Sequence, residues 1–187
     1  MLNLFRSLKR AKSRETIERL YGAIVAQSRR AEFYTDFGVP DTLEGRFEMV
    51  VLHTVLVCHR LKGGDDTARA MSQEIFDAFA ADMDSTMREL GVGDLTVPKK
   101  MKKIGAAFYG RAAAYDTALA APGNALLAQA LARNILGTDE ASPRAEPFAA
   151  YVRAAVERLE ATPFETFARG ELLLPPPEHG RAPEAGQ

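Results

Sequence analysis

The sequence holds one cysteine in 187 residues, no apolar run long enough to cross a bilayer, almost no alternating strand pattern and almost no net charge. Each shortage excludes something. A lone Cys58 rules out an internal disulfide framework and fits a reducing compartment. The most apolar stretch, residues 47 to 61, is interrupted by Glu48, His53, His59 and Arg60, well short of the roughly 18 to 20 apolar residues of a spanning helix. With 24 basic against 25 acidic side chains the formal charge is −1, so contact with nucleic acid or an anionic membrane must come from a local patch. Catalytic signatures are missing as well: there is no GxSxG and no Walker-type loop, and "GVGDL" lacks the preceding strand and the third glycine of a dinucleotide fingerprint.

What is present is helical punctuation, on a chain whose 47% hydrophobic content suffices for one compact domain. Ile17, Leu20, Tyr21, Ile24 and Val25 share a helical stripe after Ser13, a suitable N-cap. "FYTDFGVP" (33 to 40) breaks the pattern, and Asp41 with Glu44 resembles a capping box opening a second helix over about 42 to 61. After "KGGDD", Met71, Ile75, Phe79, Met83, Met87 and Leu90 mark a long third helix stopped by Gly91. Thr96 and Pro98 open a fourth that runs to Ala120, and a fifth spans Asn124 to Leu136, closed by Gly137. Ser142 and Pro143 open a sixth to about Glu160, and Thr162, Pro163 and Glu165 start a short seventh. The expected fold is all-α, a single multi-helix domain of about six to seven helices over 13–172. A basic amphipathic segment (1–12) precedes it, and a disordered, proline-rich tail (173–187) carries His179.

"FEMVVLHTVLVCHRLKGG" (47 to 64) concentrates two of the three histidines and the cysteine, which invites a metal or catalytic reading. Helical geometry disperses them: at ~100° per residue His53 and His59 lie about 120° apart, and His53 and Cys58 about 140°. Ligand pairs on a helix recur at i and i+3 or i+4, so no metal site is expected. Cys58 falls on the stripe of Phe47, Val51 and Leu61 and reads as a buried structural cysteine, the histidines as hydrogen-bonding groups flanking a central helix. Asp77 and Asp84 share a helical face with Glu74 nearby, a conceivable paired-carboxylate site, but Asp84 also stands four before Arg88, the spacing of a surface ion pair. No cofactor is expected.

Surface charge offers more. Lys99, Lys100, Lys102 and Lys103 cover an arc of about 160° on the fourth helix, opposite Met101, Ile104 and Phe108, with Arg111 at the border. Such a helix suits RNA, anionic lipid or an acidic partner, and an RNA- or ribosome-binding module using residues 97–116 is one reading of it. Glycines at 105 and 110 would let another helix approach closely. Residues 1–14 mix Leu2, Leu4, Phe5 and Leu8 with five basic side chains and no acid, the texture of an interfacial segment on an anionic membrane. Methionines on the third helix suit an adaptable apolar groove or plain core.

Residues 20–61 ("LYGAIVAQSRRAEFYTDFGVPDTLEGRFEMVVLHTVLVCHRL") and 76–119 ("FDAFAADMDSTMRELGVGDLTVPKKMKKIGAAFYGRAAAYDTAL") together resemble the ubiquinol–cytochrome c chaperone family, over roughly 15 to 140. The likeness lies in an aromatic "FY…GVPDT" turn, an apolar helix ending in Arg, "FDxFxxDMDxxMRELGVGD", a lysine-rich helix and "FYGRxxAYD". It implies an all-helical, non-enzymatic assembly factor that binds newly made cytochrome b and helps it enter the ubiquinol–cytochrome c reductase, respiratory complex III. In mitochondrial members it implies a small assembly partner and ribosome contact in the matrix. With no long presequence, the chain is expected to be a bacterial-type member, cytoplasmic, with peripheral contact at the inner face of the cytoplasmic membrane. The matching positions are Tyr34, Pro40, Arg46, His53, Arg60, Phe76, Asp77, Asp82, Asp84, Met87, Arg88, Leu90, Lys99, Lys103, Arg111, Tyr115 and Asp116. With Phe108 they are candidates for a client-binding face beside the third and fourth helices, or for the fold itself.

Overall fold

A computed structural model describes residues 2–138 and 142–177, with side chains from residue 13 onward. Among these the chain is all-helical: α1 (Leu2–Ser28), α2 (Ala31–Thr35), α3 (Leu43–Lys62), α4 (Asp66–Glu89), α5 (Val97–Ala120), α6 (Ala125–Leu131) running into a π-helical turn (Ala132–Leu136), α7 (Ala145–Glu160) and α8 (Phe164–Ala168). The central helix is α3, packed against α1, α4, α5, α7 and the π-turn. Its run from Met49 to Val57 is buried throughout, as expected of a helix apolar nearly all round.

Side-chain pairs fix the directions of the long helices. Phe47 on Phe79 and Cys58 beside Ser72 set α3 antiparallel to α4. Ser13 Oγ donates to Glu74 at 2.8 Å and Tyr21 Oη to Asp82 at 2.7 Å, so α1 runs parallel to α4. Phe76 packs on Phe108 and Tyr109 at 4.9 and 5.5 Å between centroids, and α5 returns antiparallel along α4.

Several expected boundaries move, each for a physical reason. Ser13 does not start a helix: α1 is continuous from Leu2, and the Ser13 hydroxyl is spent on Glu74. The cap of α3 is Thr42, whose Oγ1 accepts from Gly45 N at 3.1 Å, while Asp41 turns aside to pair with Arg46 at 2.7 Å. Asp65 caps α4 by accepting from Ala68 N at 2.9 Å. Thr162 closes α7 by donating to the Arg158 carbonyl at 2.7 Å, and α8 begins without a side-chain cap. Running into the "FYTDFGVP" break is α2, stapled by fully buried Phe33 and by Phe37 just after it.

At the C-terminal end the body extends past the expected boundary at 172. Leu172 and Leu174 pack against the core, Pro177 is buried, and the Pro175 carbonyl accepts from Gln27 Nε2 at 2.9 Å. Residues 173–177 thus form an extended strap on α1. The remainder of the expected tail, with His179, lies outside the described residues.

The start of α3 is unusually tight. A Cβ on Gly45 would come within 2.0 Å of the Pro40 carbonyl oxygen, a backbone atom with no free rotation to escape it. Gly45→Ala is therefore expected to lower stability by about 1 to 3 kcal/mol through forced backbone movement. Urea unfolding monitored by circular dichroism reads this, and an unshifted midpoint would show that the corner gives way freely.

Candidate functional site

The three chemistry-bearing residues of α3 do diverge. His53 is fully buried: its Nδ1–H donates to the Met49 carbonyl at 2.9 Å with Ser28 Oγ at 3.2 Å, and its Nε2 accepts from Tyr151 Oη at 2.8 Å. Tyr151 in turn accepts from Gln27 Nε2 at 3.0 Å, the amide that also holds the C-terminal strap. Burial pushes the His53 pKa down to about 4, against a smaller upward effect of the Met49 hydrogen bond, so the ring is neutral at neutral pH. Cys58 is half-buried rather than buried; desolvation raises its thiol to about 11, partly offset by its hydrogen bond to Ser72. That thiol stays protonated and is a poor nucleophile. His59 faces the other way and holds Asp116 at 2.7 Å. Among the described residues no three His, Cys, Asp or Glu side chains converge as a metal site would require.

The structure sorts the remaining candidates by location. Tyr34 Oη donates to the Ser28 carbonyl at 2.8 Å and closes the α1–α2 corner. Arg60 donates to the carbonyls of Leu159 and Thr162 at 2.9 and 3.0 Å and lies over the Phe167 ring, tying α3 to the end of α7 and to α8. Arg111 grips Glu48 through two hydrogen bonds, at 3.1 and 2.7 Å, and fastens α5 to α3. Tyr115 is fully buried; its hydroxyl lacks a hydrogen bond of ordinary geometry, and burial raises its pKa although the Asn134 amide lowers it. Met87 is buried and Met71 and Met83 pack on the core, so these methionines serve packing. Asp77 accepts from Gln73 at 2.8 Å and Asp84 pairs with Arg88 at 2.6 Å. They are tied into separate helix-surface contacts, and neither lines the cleft described next.

Phe76, Phe108 and Asp116 do come together, in a cleft of about 260 Å³ between α3, α4 and α5. Its apolar walls are Val55, Cys58, Phe76, Phe108, Tyr109 and Ala112, with the Tyr109 ring 61% exposed at the lip. Polar groups surround them: the His59–Asp116 pair, Lys62, Arg69, Ser72 and Gln73. Arg69 is engaged by Asp66 at 2.6 Å and by the Gly64 carbonyl, whereas Lys62 makes no ion pair among the described residues. The cleft presents aromatic and aliphatic carbon with cations at one end and no activated nucleophile, an arrangement for binding. Sequence reasoning found Phe76, Phe108 and Asp116 but missed His59, Lys62 and Tyr109 as their neighbours. The His59–Asp116 contact joins residues 57 apart in sequence, for which no local spacing gives a signal.

Comparison with known proteins bears on the whole of this body. The family model described as "Ubiquinol-cytochrome C chaperone" matches residues 35–174, from the end of α2 through the strap. The chain belongs to this chaperone family. Its match extends further toward the C-terminus than the motif likeness at 15 to 140 and takes in α7 and α8, the elements that Arg60 joins to α3. The chaperone is 27% identical over 160 residues to ubiquinol-cytochrome-c reductase complex assembly factor 1 of Xenopus laevis, covering 84% of this chain and 80% of that one. It also resembles the crystal structure of the Cbp3 homolog from Brucella abortus, with 40% identity, a TM-score of 0.85, and coverage of 95% of this chain and 98% of the other. This is a family of assembly factors and not of enzymes, consistent with a cleft whose thiol is protonated and whose carboxylate is held by histidine. Among the described residues no helix is long and apolar enough to cross a membrane.

Proposed function

We propose that this chaperone binds newly synthesised cytochrome b during assembly of the ubiquinol–cytochrome c reductase, and that the α3–α4–α5 cleft receives a large apolar side chain of the client. The observation that carries this reading is the open aromatic cleft itself, where Phe76, Phe108 and Asp116 converge on a surface that the other described residues leave uncovered. An apolar anchor entering it removes the exposed Tyr109 side chain and its neighbours from water, while Lys62, which has no ion pair among the described residues, offers a partner to a carboxylate or carbonyl on the client. A small assembly partner and the ribosome belong to the same reading, as does a cytoplasmic site of action with residues 1–14 touching the inner face of the membrane.

Capture of fluorescent cytochrome b peptides by the purified protein tests the cleft. Ala112→Trp should project an indole into it from the half-buried wall and weaken capture by about tenfold or more, which corresponds to about 1.4 kcal/mol. Equal capture by this variant, with unchanged circular dichroism, would move the client to another face.

A further inference from the structure

The end of the body where α3 begins and α4 passes into α5 carries a second surface, separate from the cleft. Because α3 and α4 are antiparallel, Leu43 at the start of α3 shares this end with Leu90 and Leu95 of the α4–α5 loop. All three are exposed: Leu43 and Leu90 at 61% and Leu95 at 99%. A single exposed leucine needs no explanation, but three at one end of a small domain do. The loop is well braced. Gly91 takes the left-handed conformation (φ 79°), Val92 N donates to the Met87 carbonyl at 3.0 Å, and Thr96 N donates to Gly93 O at 2.8 Å. Val97 and Met87 are buried on either side, so the loop is anchored by its neighbours while Leu95 is held out in water.

Directly behind this tip stand Lys99, Lys100, Lys102 and Lys103, all exposed and none in an ion pair among the described residues. The nearby acids are less free. Asp84 and Asp94 are both held by Arg88, and Glu89 accepts from Ser85 Oγ at 3.1 Å. The tip therefore combines projecting apolar carbon with an excess of positive charge one to two helical turns behind it, since the four lysines outweigh the one carboxylate that Arg88 leaves unbalanced and Glu89. That combination is complementary to the boundary of an anionic bilayer, with acyl carbon beneath a layer of phosphate.

We propose that the α4–α5 tip is a membrane-docking surface: Leu90 and Leu95 enter the headgroup layer of an anionic bilayer, and Lys99, Lys100, Lys102 and Lys103 meet lipid phosphates. This contact differs from the one proposed for residues 1–14, because α1 runs parallel to α4 and its first residues lie toward the opposite end, where α4 begins. It also does not depend on the client cleft, so peptide capture and membrane docking succeed or fail independently.

The sequence contains no tryptophan, so Leu95→Trp in the full-length protein gives a single reporter at the tip. Vesicles of phosphatidylcholine with about one-third phosphatidylglycerol should shift the indole emission to the blue, and pure phosphatidylcholine vesicles should not. The partition should weaken as salt screens the lysines. Lys99→Glu and Lys103→Glu should each reduce it at least about fivefold at low salt, and Leu95→Asp in the otherwise native chain should reduce co-sedimentation. Removal of residues 2–12 should leave the blue shift in place. The proposal is overturned if the emission stays unshifted while vesicles bind, which places binding at another surface, or if no vesicles bind at low salt. Salt-sensitive RNA binding that the same lysine reversals abolish, without vesicle binding, would assign these side chains to nucleic acid instead.

Discussion

Phe33→Ala is expected to destabilise the protein by about 3 to 5 kcal/mol, a large part of the roughly 5 to 15 kcal/mol by which domains of this kind hold together. The ring is fully buried and sits in an aromatic cluster, with centroids 5.0 Å from Tyr151, 5.2 Å from His53, 5.7 Å from Phe37 and 6.2 Å from Phe148. Four rings drawn from α3, α7 and the α2 segment cannot all close on the space it would leave, because each is fixed by other contacts. Only five residues make up α2, so its hold on the body depends mainly on Phe33 and Phe37, with the Tyr34 hydroxyl on the Ser28 carbonyl as a further tie. Urea titration should show the lost midpoint, and limited proteolysis should cut first between residues 30 and 42. A loss below about 1 kcal/mol would mean that the cluster repacks and does not hold α2 in place.

The second large effect is acid sensitivity through His53. An unfolded histidine takes up a proton near pH 6.5, whereas the buried ring in the native protein resists it until about pH 4. Between those values the unfolded chain binds a proton that the folded chain refuses. Stability is accordingly full above about pH 6.5 and declines as pH falls toward 4, by about 3 kcal/mol in all. Desolvation is the main cause: the imidazolium would have no solvent, and its new Nε2–H would face Tyr151 Oη, which already accepts from Gln27. Glu32, Asp41 and Glu171 are held low by arginine neighbours, so their contributions vanish only below the ordinary carboxylate range. The interval from about 6.5 to 4.5 therefore belongs chiefly to His53. In His53→Gln the slope of unfolding free energy against pH should be nearly flat across that interval; a slope equal to that of the native protein would refute the assignment. The strap at Pro175, linked through Gln27 and Tyr151, should loosen along with His53, and hydrogen exchange at the backbone amides of residues 171–174, just before the three prolines, reports on it.

Legibility in the sequence followed the range of the interactions. The long helices were readable because a stripe at helical spacing and its stop are local: Gly91 and Gly137 do end their helices with positive φ. The same geometry correctly separated His53, Cys58 and His59. What escaped was set by partners distant in sequence. Nothing near residues 31–35 announces a helix; α2 exists because Phe33 finds Phe148 and Tyr151 on α7. A proline-rich segment read as tail is seated because Leu174 meets the core and Gln27 meets Pro175, 148 residues apart. Ser13 looked like a cap because its side chain can be one, and Glu74 claimed it instead. For the cleft, Phe76 and Asp116 came with the family likeness and Phe108 with the apolar side of the lysine-rich helix, but their separation from His53, Tyr115 and Arg111, which serve the interior and the helix packing, needed the fold.

The antiparallel course of α4 and α5 also sets a height. Phe76 in the cleft and Leu90 at the tip are separated by about four turns of one helix, or roughly 20 Å. With the tip in the headgroups and α4 upright, the cleft would stand that far above the lipid. A client segment lying flush with the bilayer would pass beneath it. One projecting by about six extended residues, at ~3.3 Å each, would just reach. The length of α4 would then act as a ruler, admitting the longer aqueous loops and ends of a membrane protein and passing over its short turns.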